Sequence, residues 1–169
     1  MNPGSIVLYQ SEYSRIAAIL TKIQKELRAQ LILLIDRSGQ QIASEGPATD
    51  VDLTALASLA AANVAATGGL ARLVGEPEFS ILYHQGKRRS IHISDVSKQF
   101  SLVVLFDETV SPGVVRWKVR RATASLDHVL LGFSRTKGTG ESSRTSSHSP
   151  GRFTDEEIEK LIGRLKPEA

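Results

Sequence analysis

The order of residues predicts an α+β layered domain: a five-stranded antiparallel sheet with helices packed against it, arranged helix, strand, strand, helix, strand, strand, strand, helix. Three observations carry this. Apolar residues recur at helical spacing in three separate stretches. Between those stretches lie five short apolar runs joined by turn residues. The composition, 41% hydrophobic and only 5% aromatic, calls for a core of Ala, Leu, Ile and Val. At 169 residues the chain has the size of one ordinary domain with a short appendage.

The first helix is expected over residues 12–28, with Ile16, Ile19, Leu20, Ile23 and Leu27 on one face and Ser11 placed as its cap. LILLID (residues 31–36) and QQIAS (residues 40–44), joined through Arg37, Ser38 and Gly39, read as a hairpin that ends at Gly46 and Pro47. A second helix is expected over residues 53–74, capped by Asp52 and stopped by Gly75 and Pro77. Leu56, Leu59, Val64, Leu70, Leu73 and Val74 are expected to form its core-facing stripe, leaving a small-residue side of Ala57, Ala61, Ala65 and Gly69 with Ala62, Ala66 and Gly68 beside them. A helix needs only one core stripe, so the small side is free for close approach by another helix or sheet. FSILYH (79–84) and RSIHIS (89–94) flank a Gly86-Lys87 turn, and FSLVVLF (100–106), nearly continuously apolar, is expected at the sheet centre. The final domain helix is expected over residues 114–132, burying Val119, Ala122, Leu126, Val129, Leu130 and Phe133.

Composition then divides the chain into a domain (residues 5–133), a Ser/Gly-rich flexible linker (134–152) and a C-terminal amphipathic helix (153–169). In that last segment Thr154 and Glu157 form a capping box, Phe153 and Ile158 a hydrophobic staple, and Ile158, Leu161, Ile162 and Leu165 one apolar face. A helix of about three turns is marginal alone in water, so Phe153, Ile158, Leu161, Ile162 and Leu165 are expected to dock on something. The linker's r.m.s. span of roughly 24 Å reaches around a small globular partner.

Several functional classes are excluded by composition. Without cysteine there is no disulfide scaffold, thiolate zinc site or iron–sulfur cluster. No run approaches the ~20 apolar residues needed to cross a bilayer, and the opening MNPGSIVLYQSEYSR lacks a signal peptide's regions, so a soluble, cytoplasmic protein with no transmembrane segment is expected. A net charge of +3 is too small for a nucleic-acid binder by total charge. A two-residue turn would set His84 opposite Arg89 and His92 opposite Ile81; with no HxH or HExxH spacing, no metal and no cofactor are expected. No nucleophile elbow, phosphate-binding loop or dinucleotide fingerprint is present, so the expectation is a protein with no catalytic site of its own. What remains is local. Arg116, Lys118, Arg120 and Arg121 surround Trp117, as a solvated helix face or as a dock for an acidic partner, phosphate or anionic lipid. Lys87, Arg88 and Arg89 form a second, turn-borne patch. An arginine finger for phosphoryl transfer would come from an exposed Arg; Arg37 and Arg72 are the other arginines worth naming, and nothing in their sequence surroundings selects either.

The segments LLIDRSGQQIA, LASLAAANVAATGGLARLVGEPEF, HQGKRRSIHIS and LVVLFDETVSPGVVRWKVRRA, in that order, resemble the roadblock (dynein light-chain) domain family, which is profilin-like in fold. The likeness is to its bacterial branch, the mutual-gliding-motility protein B family, and extends to the opening SIVLYQSEY. The resemblance implies a homodimer whose third strands pair across a two-fold axis, with the second helices side by side. It implies one GTP-bound, Ras-like GTPase seated asymmetrically on the small-residue surface, here Ala61, Ala62, Ala65, Ala66, Gly68, Gly69 and Arg72. In such a complex the regulator reshapes the partner's switch regions and supplies no arginine finger. The C-terminal helix would bind the GTPase elsewhere and influence nucleotide exchange. The expected function is therefore GTPase activation in cell polarity or gliding motility. The alternative is a non-catalytic scaffold that binds a GTPase or motor complex without stimulating hydrolysis.

Overall fold

The computed structural model describes the backbone of residues 10–136 and the side chains of residues 10–131. Its elements follow the expected order: α1 (Gln10–Leu27), β1 (Leu31–Asp36), β2 (Gln41–Glu45), α2 (Leu53–Leu73), β3 (Ile81–Gln85), β4 (Arg89–Val96), β5 (Phe100–Asp107) and α3 (Pro112–Thr136). The last helix thus runs past the expected domain boundary. The rest of the expected linker and the expected C-terminal helix, including Phe153, Ile158, Leu161, Ile162 and Leu165, lie outside the described residues.

The strands form one antiparallel sheet in the order β2-β1-β5-β4-β3, with β5 in the middle as its unbroken apolar run requires. Strand β1 lies between β2 and β5, pairing Leu31 with Leu105 through to Asp36 with Phe100. Both strands are sandwiched, so successive residues feed opposite cores. Ile32, Leu34, Leu102, Val104 and Phe106 meet Ile16, Leu20, Ile23 and Leu27 of α1 and Val115, Val119, Leu126 and Leu130 of α3. Leu31, Leu33, Ile35, Val103 and Leu105 meet α2 on the other face. Each fully buried aliphatic side chain contributes roughly 1.5–3 kcal/mol of transfer free energy. The turn after β2 passes so close to β1 that a Cβ on Gly46 (φ 131°) would lie 2.5 Å from the Gln30 carbonyl oxygen. Only glycine fits there.

Three expectations change. The first concerns α2, which is rotated by roughly a quarter turn from the expected face. Ala57, Ala60, Thr67 and Ala71 are buried. Leu56 and Val64 are partly buried, whereas Leu59, Leu70, Leu73 and Val74 are exposed. The physical reason is that α2 is apolar almost all round, so hydropathy does not select the face; small residues let the helix backbone approach the sheet. The second is the β3–β4 register. Gly86 donates its N–H to the Arg89 carbonyl, so the chain turns at Lys87 and Arg88, one residue later than expected, which places Tyr83 opposite His92 and His84 opposite Ile91. The two histidines therefore lie on opposite faces of the sheet. The third is that α2, with 21 residues and a mean hydropathy of 1.4, has the length and composition to cross a bilayer. Here one side of it lies on the sheet.

Candidate functional site

Helix α2 is held by its ends. Asp52 accepts the Ala55 N–H at 3.0 Å, an N-cap worth about 1 kcal/mol. At the other end Gly75 takes a left-handed conformation (φ 76°), with Glu76 N–H bonded to the Ala71 carbonyl and Gly75 N–H to that of Arg72. This double bond pattern ends the helix abruptly. Between the caps, the outward surface carries Leu59 (70% exposed) and Leu73 (84% exposed) together with Leu70, Ala62, Ala65 and Ala66. Ala61, Gly68 and Gly69 are half-buried along the same helix. A Cβ built on Gly68 meets nothing within 4 Å, and one on Gly69 meets only the Arg72 guanidinium at 3.9 Å. Neither glycine is required by the domain's own packing.

The apolar surface continues onto the sheet edge. Strand β3 pairs with β4 on one side only, and Phe79, Ile81 and Tyr83 are exposed beside that open edge. Asn63 of α2 and His84 of β3 are 3.0 Å apart, tying helix to strand. Tyr83 stacks on Phe106 on the opposite face of the sheet.

Arg37 and Arg72, which the sequence leaves unrelated, line one cavity of about 180 Å³ between the end of α2 and the β3–β4 hairpin. Gly68, Phe79 and Asp95 also line it. Arg37 Nε donates to the Lys98 carbonyl at 2.7 Å, and its Nη2 lies 3.5 Å from Asp95 Oδ1. Burial pushes the Asp95 carboxyl up from its ordinary value, against the pull of Arg37. Arg72 enters no ion pair among the described residues, and Glu78 lines the cavity beside it. No spacing rule links positions 35 residues apart on a strand-end turn and a helix; only the fold joins them.

The basic patch lies on the opposite side of the sheet, along α3. Lys118 pairs with Glu26 of α1 at 2.5 Å, and that bond, with Lys22 and Arg121 nearby, holds the Glu26 carboxyl below its usual range. Lys118 and Arg121 lie 5.1 and 5.2 Å from the Trp117 ring centroid. Beneath the sheet-facing side of α3, buried His92 contacts Ser94 Oγ at 2.9 Å; burial, with Arg116 adding repulsion, lowers its pKa to about 4. His92 is thus a neutral core residue at physiological pH. In the turn patch, Arg89 pairs with Asp50 at 2.7 Å, while Lys87 and Arg88 are exposed without ion pairs among the described residues. No group of three or more His, Asp or Glu among the described residues could hold a metal ion.

Comparison with known proteins bears on this arrangement. Residues 16–106 match the family model of the Roadblock/LC7 domain. The solved structure of Myxococcus xanthus MglB is 38% identical, with a TM-score of 0.71 over 75% of this chain and 96% of that one. Gliding protein mglB from Thermus thermophilus is 35% identical, with a TM-score of 0.70 over 76% of this chain and 97% of that one. A Roadblock/LC7 domain from Streptomyces avermitilis, 13% identical with a TM-score of 0.63 over 68% of this chain and 97% of that one, shares the fold. No curated protein sequence matches. Family model and fold agree, and the chain belongs to the Roadblock/LC7 domain family, resembling its MglB members.

Proposed function

We propose that the protein is a homodimeric, non-enzymatic regulator that binds the GTP-bound form of a small Ras-like GTPase across α2 and stimulates its hydrolysis, in bacterial cell polarity or motility. The observation that carries the reading is the outward face of α2. Leu59, Leu70 and Leu73 stand exposed around Ala62, Ala65, Ala66 and Gly69, a surface both apolar and flat enough for close docking. Its resemblance to MglB structures supports the partner class, and a related MglB is described in a tetrameric arrangement. The open β3 edge, with Ile81 and Tyr83 beside it, is the natural place for a second copy to continue the sheet. The unpaired Arg72 guanidinium at the end of α2 would take a carboxylate of the GTPase. Such a regulator acts by positioning water and charge-stabilising groups that belong to the partner.

In this reading the domain of residues 5–133 operates in the cytoplasm without a cofactor, and the segment at 153–169, tethered by 134–152, adjusts nucleotide exchange. GTP hydrolysis by the cognate GTPase, measured with and without the protein, tests it directly. Acceleration together with a complex on size exclusion is expected. A complex without acceleration would replace the activator by an adaptor, and neither would end the reading. Leu161→Asp is expected to leave fold and dimer intact while changing partner affinity or exchange rate; unchanged values would remove the tail from the mechanism.

A further inference from the structure

The helical layer opposite α2 presents a different chemistry. On the crown of α3, Val114, Trp117 and Leu131 are all exposed, Trp117 by 54%. Val114 and Trp117 form an apolar pair near the start of the helix and Leu131 lies roughly 21 Å beyond, with exposed Arg120, Arg121, Ala124 and His128 between them. Cations flank that pair: Arg116 and Arg120 toward β3, Lys118 and Arg121 toward α1, with exposed Lys22 and Lys25 on α1 beyond. Arg116, Arg120, Arg121, Lys22 and Lys25 enter no ion pair among the described residues. Of the acids nearby, Glu26 pairs with Lys118, Asp127 accepts from Ser97 Oγ at 2.5 Å, and Asp95 lines a hollow beside Arg116 and Arg120. Arg116, Arg120, Arg121, Lys22 and Lys25 are exposed to solvent.

We propose that this face docks on the surface of an anionic lipid bilayer, Trp117 seating at the headgroup level and the surrounding Lys and Arg meeting lipid phosphates. A nucleic-acid or acidic-peptide dock needs the cations but not an exposed indole and valine among them. An interfacial helix face needs both, with an amphipathic indole at the boundary. Val114 and Trp117 stand exposed on the outer side of α3, with Lys22, Lys118 and Arg121 lining the groove between it and α1. The proposal does not depend on the reading of α2; it uses the opposite face and leaves α2 free to hold a protein.

Trp117 is the only tryptophan in the chain, so its fluorescence reports contact at the proposed site. The full chain is mixed with phosphatidylcholine vesicles with and without 30% phosphatidylglycerol, and binding is read by flotation and by Trp emission. Expected are co-flotation and a blue shift with the anionic vesicles alone, both reversed by raising salt from 0.05 to 0.5 M. Each basic side chain at such a surface is worth a factor of about five, so Arg120→Gln with Arg121→Gln should weaken partitioning roughly thirty-fold. Both positions are exposed; an unchanged thermal transition by circular dichroism and an unchanged size-exclusion profile verify that the double variant folds. No flotation at low salt overturns the proposal. So does equal binding to uncharged vesicles, or binding insensitive to salt and to the double variant, which would assign it to the apolar face of α2. A blue shift with inorganic phosphate or polyglutamate, but not with vesicles, would assign the patch to a soluble anion or an acidic protein and likewise overturn it.

Discussion

The two helical layers on this sheet are built on opposite plans. α1 and α3 bury their large side chains, Ile16, Leu20, Leu126 and Leu130 among them, and turn cations outward. α2 buries alanines and turns leucines outward. A core needs volume as well as hydrophobicity, so the first layer buries the larger side chains and the second leaves large apolar side chains exposed. In the proposed reading, the bulk of the core and the protein-binding surface lie on different sides of one sheet, where substitutions can address them separately.

The largest effect should come from hollowing the volume-rich layer. Leu20→Ala or Leu126→Ala, both at 0% exposure, is expected to cost about 2–5 kcal/mol in denaturant unfolding. Leu73→Ala on the other layer should stay within about 0.5 kcal/mol yet weaken partner binding. Next in size is acid. His92 has a folded pKa near 4 against an ordinary 6.5, so between these values the unfolded chain binds the extra proton and stability rises with pH. The domain should lose about 2–3 kcal/mol as pH falls from 6.5 to 4, read as a falling urea midpoint; a His92→Phe variant that kept the same slope would remove His92 as its origin. Gly69→Arg should raise monomer stability by up to about 1 kcal/mol, because glycine is a poor helix former and a Cβ there meets only Arg72, while abolishing the complex. A destabilised monomer would instead mean that the small residues serve the domain's own packing. The smallest effect is expected for Glu26→Gln: a solvent-exposed pair with Lys118 should scarcely move the thermal midpoint.

This contrast also explains what could be read in advance. Strand β5 announces its central place because seven successive residues, Phe100 to Phe106, are buried, and the caps Asp52 and Gly75 mark α2 to within a residue. The rotation of α2 is illegible because polarity identifies an inner face only where an outer face is polar, and α2 offers two apolar choices. Ala61, Ala65 and Gly69 mark a small-residue side of α2 through their spacing, but Leu59 and Leu73, its most exposed leucines, look like core in one dimension. The Arg37–Arg72 cavity depends on tertiary proximity, and the β3–β4 register on a turn at Lys87 and Arg88, one residue beyond the glycine that signals it.

The pairing of β1 with β5 has a consequence for how the molecule comes into being. Leu31 finds its partner in Leu105, and Asp36 in Phe100, so the sheet cannot close during synthesis until the chain beyond residue 105 has emerged. Through that interval the β1–β2 hairpin and the whole of α2 exist without the strand that joins them to β4. An apolar helix waiting on an unfinished sheet invites capture by chaperones or by other nascent chains. Slowing translation just before β5 should therefore lower the yield of folded protein more than the same pause placed after it.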